Sequence, residues 1–143
     1  MAVSTLLVIT DGLSFMSLLV LAFFELYVVT NLLDLRQDYV SAKDMCDRLN
    51  PMFLPAYICH MIVTGVLLIS GKWVQFLYEL PLLLIIARRI FAGKLNFEYL
   101  SIRRTDELNQ MFKLHCVFIG YYAIGFLFAF VVFASICYSY LLV

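Results

Sequence analysis

Charge is what this chain has least of. Of its 143 residues, 14% are Asp, Glu, Lys or Arg and 64% are hydrophobic; the charged share is roughly half that of a soluble globular domain. A composition this poor in charge excludes a well-solvated surface and is that of a membrane protein. Ten basic and ten acidic residues cancel, so no net field points to a nucleic-acid partner. The four cysteines, Cys46, Cys59, Cys116 and Cys137, include no CxxC spacing, and free thiols are expected. There is no Gly-rich phosphate loop, no HExxH, and no serine, histidine and acid at a common depth. Enzymatic activity, a cofactor and a bound metal are therefore not expected.

What the chain does have is long uncharged runs. Residues 13–24 carry no charge and, past Glu25, the sequence stays apolar to Leu33; residues 52–71 and 114–143 carry none, and residues 73–87 hold only Glu79. A helical span takes about 20 apolar residues. The spacing predicts an all-α polytopic membrane protein, one domain over 1–143, with four transmembrane helices at about 10–33, 52–71, 73–92 and 112–140. The connection at Ser70, Gly71 and Lys72 is short enough to force a tight antiparallel hairpin, with Trp73 as an interfacial anchor. The first run lacks a basic leader, carries Asp11 and Glu25 and shows no small-residue cleavage pattern, so it reads as a retained span.

Basic residues are distributed unevenly. Arg36, Lys43 and Arg48 fall between the first two spans, and Arg88, Arg89, Lys94, Arg103, Arg104 and Lys113 between the last two, while only Lys72 lies on the other side. The positive-inside rule puts the loops at about 34–50 and 93–111 in the cytosol and both termini in the lumen or outside the cell. Thr105 is expected to be the N-cap of a short amphipathic helix that merges into the last span.

Three prolines punctuate these runs. Asn50 before Pro51 is a good helix N-cap, and proline suits the first turn, so the LNP stretch is predicted to start the second span. Pro55 would then bend that helix and Pro81 the next. Glu25 is the sharpest single residue, since an acid within a span is costly and commonly functional. It would pair with a helix terminus or with a base such as Arg88 or Lys113, or alternatively serve a small proton-coupled transporter. The pairs Cys59-His60 and His115-Cys116 could offer metal ligands, but adjacent helical residues point about 100° apart, which favours packing roles. Aromatic residues in the first and last spans, among them Phe23, Phe24 and Tyr27, suit a grip on another protein's membrane helix.

DLRQDY, DMCDRLNPMFLPAYICH, LPLL before a basic loop, and FKL ahead of an aromatic last run together resemble the cornichon family over residues 34–143. The positions carrying the resemblance include Asp38, Tyr39, Asn50, Pro51, Pro55, Tyr57 and Pro81; Ala56 stands where the family usually has glutamate. The resemblance implies a cargo receptor that selects transmembrane client proteins for export from the endoplasmic reticulum to the Golgi, cycling between the two. Its implied partners are those clients, subunits of the COPII coat and membrane lipid. Client contact is expected at Phe23, Phe24, Tyr27 and Tyr57 on the first two spans. Coat contact is expected at YLSIR, through Tyr99, Leu100, Ile102 and Arg103, the position of a hydrophobic-basic motif in fungal members. Some animal members instead act as auxiliary subunits of an ion channel; the shorter second loop here argues against that role.

Overall fold

The computed structural model describes residues 2–93, 96–102 and 105–142, which form helices and short connections. They are α1 (Ala2–Arg36), α2 (Ala42–Ile69), α3 (Trp73–Phe91), the single turn α4 (Tyr99–Ile102) and α5 (Thr105–Leu141). Among the described residues, α1, α2 and α5 are long and apolar enough to cross a membrane. The 19-residue α3 carries Glu79, Arg88 and Arg89 and reaches about 28 Å at 1.5 Å per residue. The predicted amphipathic helix before the last span is continuous with it, and among the described residues Thr105 is a helical residue at the start of α5 rather than its N-cap.

The reversals are set by local chemistry. At the end of α1, Tyr39 N–H donates to the Asp34 carbonyl (2.9 Å) and Asp38 N–H to that of Leu35 (3.1 Å), the paired bonds of a Schellman stop. The residue at its left-handed position is Asp38, with φ 59°. Ser41 then caps α2 by accepting from Asp44 N–H. The α2–α3 hairpin repeats the device with Gly71 at φ 75°, where Lys72 N–H reaches Leu67 and Gly71 N–H reaches Leu68.

One expectation fails here. Because α2 begins at Ala42, Asn50 and Pro51 lie in its interior rather than at its start. Ser41 is the cap that wins, and Asn50 is freed for another task. Its Nδ2 donates to the Phe97 carbonyl (2.9 Å) and its Oδ1 accepts from Phe97 N–H (2.8 Å). This clamp drives the Phe97 ring into the core, 5.1 Å from Phe53 and 5.7 Å from His115. The second polar loop is thus docked on the bundle's end.

Between membrane helices the surrounding lipid supplies no hydrophobic drive, so packing and interhelical hydrogen bonds hold the bundle. The principal pair is α1 with α5, antiparallel, stitched by Phe15 against Phe126, Phe130 and Phe133 at ring separations of 5.1, 5.8 and 5.6 Å. α3 meets α5 where Tyr78 stacks on Tyr121 (4.6 Å) and donates to its carbonyl (2.7 Å). Gly125 permits that approach, since a Cβ there would stand 2.7 Å from the Tyr78 ring.

Candidate functional site

Two adjacent features occupy the seam between α1 and α2, one facing inward and one facing out. Successive helical residues point about 100° apart, so a single step along the chain exchanges one face for the other. At 24 and 25, Phe24 lines the outward face and Glu25 turns in; at 56 and 57, Ala56 lines it and Tyr57 turns in.

The inward feature is a carboxylate held on both oxygens. Glu25 is 0% exposed; its Oε1 accepts from the Tyr57 hydroxyl at 2.8 Å, and its Oε2 lies 2.5 Å from His115 Nδ1. Three helices therefore converge on one side chain, and the cost of an acid at this depth is met by two interhelical bonds. These partners replace the expected Arg88 or Lys113: the fold brings an imidazole and a phenol to the acid, and neither base bonds it. Further along, Thr64 Oγ1 lies 3.1 Å from Glu79 Oε2, and the His60 and Tyr122 rings meet edge to face at 5.7 Å. At the end with the α2–α3 turn, Lys72 forms an ion pair with the buried Asp11. The sequence marks Glu79 as the one acid of its run and Tyr122 as one of the last span's aromatics, but it gives neither a partner.

The outward feature is a groove of about 860 Å³ that opens sideways between the helices. Ile9, Leu13, Met16, Val20 and Phe24 form its α1 wall, and Pro51, Met52, Pro55, Ala56, Cys59 and Ile62 its α2 wall. Pro51 and Pro55 thus sit on this face of α2, and each removes one backbone donor and disfavours close helical packing on its own turn. Phe24 closes the inner end, stacked edge to face on Phe53 and Tyr57 at 5.7 and 6.3 Å. The hydrogen bond from Tyr57 to Glu25 pins the two helices together directly behind it.

The residues expected to touch a client divide between the two features. Phe23 and Tyr27 stand one turn apart on the outer face of α1, exposed, and Phe24 is half-buried in the groove wall. Tyr57 is buried inside the bundle and bonded to Glu25, so it shapes the groove from behind and presents no side chain to a client. In the expected coat segment, Leu100 is 59% exposed but Ile102 is 2% exposed. Ile102 anchors α4 in the core, so its side chain is not presented to a partner. Arg103 and the side chain of Tyr99 lie outside the described residues. Asp38 and Tyr39 form the α1–α2 turn, and Pro81 is interior to α3. Both histidines of the two Cys/His pairs face inward while Cys59 and Cys116 face out, and among the described residues no group of three or more metal-ligating side chains forms.

Comparison with known proteins places residues 8–133 under the family model for cornichon proteins. The chain is 38% identical over 66 residues to "ER-derived vesicles protein erv14" of Schizosaccharomyces pombe, covering 46% of this chain and 48% of that protein. It is 26% identical over 111 residues to "Protein cornichon" of Drosophila virilis, covering 74% of this chain and 77% of that one. With "Protein cornichon homolog 1" of Caenorhabditis elegans the identity is 27% over 109 residues, covering 73% and 75%. The matched stretch spans about half the length of the yeast relative and three quarters of the others.

Proposed function

The chain belongs to the cornichon family, and from that premise we propose that it is a cargo receptor for transmembrane clients leaving the endoplasmic reticulum in COPII vesicles. It cycles to the Golgi as a four-span protein with both termini luminal, α3 being the fourth span, and it catalyses no reaction. The observation that carries this reading is the groove between α1 and α2, apolar along its length and open to the side. Its α1 wall runs from Ile9 to Phe24, about 22 Å of helix rise, which suits one face of a client's membrane helix. A soluble ligand would require polar groups converging on the cavity, and here Glu25 and Tyr57 are spent on each other. The name of the yeast relative, a protein of vesicles derived from the endoplasmic reticulum, supports the compartment.

The cytosolic surface contributes the second binding event. α4 holds Leu100 outward on a segment that Ile102 and Phe97 fix to the bundle, a rigid presentation suited to an apolar pocket on a coat subunit. Sorting follows when client and coat are bound at once, since each raises the effective concentration of the other.

A photocrosslinking residue at Val20 or Ile62, on the two groove walls, tests the reading in native membranes. Client polypeptides are expected to crosslink there and not from Val117, exposed on α5. Equal crosslinking from all three positions, or none from the groove, overturns it. Glycosylation acceptor sites appended through short spacers test the topology: both termini are expected to be modified and the loops not.

A further inference from the structure

A second cleft lies at the end of the bundle that carries the α2–α3 turn, between that turn and α5. It measures about 520 Å³ and is walled by Lys72, Trp73, Gln75, Phe128, Val132 and Ile136. Its charge is already spent, because the Lys72 ammonium is paired with Asp11 and donates to the Leu7 carbonyl (3.2 Å). Gln75 is different. It is 6% exposed, and both its amide nitrogen and its amide oxygen are buried without a hydrogen-bond partner. Leaving one donor and one acceptor of a buried carboxamide unmet is costly, and an occupant that satisfies both would remove that cost.

We infer that this cleft binds one membrane lipid of the sphingoid type, whose interfacial backbone carries an amide and a hydroxyl. The inference rests only on the chain's residence in a membrane and is independent of its clients. A glycerol diester offers acceptors alone at that depth, whereas a sphingoid backbone offers an N–H, a carbonyl and a hydroxyl beside one another, the complement of a carboxamide. Gln75 stands in the first turn of α3, next to the interfacial Trp73, which is the depth of a lipid's backbone. From there Phe128, Val132 and Ile136, spaced one turn apart on α5, give an apolar track of about 12 Å for a hydrocarbon chain. The volume lies in the usual range for a small-molecule site, about 300–1,000 Å³. A client helix about 10 Å across fits the wider α1–α2 groove better.

The test uses the full chain in lipid nanodiscs, with a photoactivatable ceramide and a photoactivatable phosphatidylcholine of matched chain length, adducts being mapped by mass spectrometry. The ceramide probe is expected to label residues 128–136, and Gln75→Leu to lower that labelling about five- to tenfold, the effect of one lost buried hydrogen-bonding group. Phosphatidylcholine labelling should be unchanged by the substitution. If Gln75→Leu does not yield a monodisperse protein, Val132→Trp, which fills the cleft from α5, is measured in its place with the same expectation. Equal labelling by the two probes, or labelling indifferent to the variant, means annular lipid only and overturns the inference. A client polypeptide crosslinked at this site in the lipid's stead overturns it too.

Discussion

Glu25 Oε1 accepts a 2.8 Å hydrogen bond from the Tyr57 hydroxyl across 32 positions of sequence, and this single bond pins α1 to α2 behind the lateral groove. The buried acid is thereby tied to the outer face: what fixes the inward turn of Glu25 and Tyr57 also fixes the outward turn of Phe24 and Ala56.

Removing the phenol should therefore be felt as lost stability. Tyr57→Phe leaves a carboxylate oxygen buried without its partner, at a cost of about 1–3 kcal/mol, read as a lower unfolding midpoint in detergent. Glu25→Gln keeps the shape and an acceptor for Tyr57, so export of clients should largely persist. Abolished export by well-folded Glu25→Gln would favour proton coupling over a clamp.

Substitutions in the groove should separate client binding from folding. Ile62→Glu places a charge on the apolar α2 wall, where a client helix would have to bury it at a cost of about 2.5–3.5 kcal/mol. Client co-purification should fall at least about tenfold while the unfolding midpoint changes little. Undiminished co-purification would exclude the groove as the client face.

Asn50 is expected to control the second polar loop. Asn50→Ala removes both bonds to the Phe97 backbone, leaving a buried ring without its tether, and should cost about 1–3 kcal/mol. Amide exchange at residues 97–102 should rise while the middle of α5 stays protected. An unchanged exchange pattern would mean that Phe97 and Ile102 hold the segment by packing alone.

Asp38 occupies a left-handed backbone position at the end of α1, one that ordinary L-residues adopt at about 1–2 kcal/mol. Asp38→Gly should raise or preserve the unfolding midpoint, and Asp38→Val should lower it. Export that fails in stable Asp38→Gly would mark the side chain as part of a cytosolic contact.

The chain's class was legible without coordinates, because long uncharged runs and a shortage of charge are properties of composition. So was the hairpin at Gly71, since helix breakers act within a few residues of where they stand. The interior acid Glu25 was legible as unusual, for the same reason. Its partners were not: Tyr57 and His115 lie 32 and 90 residues away, and only the rotation and register of three helices decide which side chains share a depth. The start of α2 was misread from the same limitation, since Ser41 and Asn50 are both good caps locally. Ser41 caps α2, and the Asn50 amide meets the Phe97 backbone 47 residues on, a partner that no local rule reveals. Sequence determined that these helices would form in a membrane; tertiary structure decided which faces meet, and hence where α1 and α2 leave a groove between them.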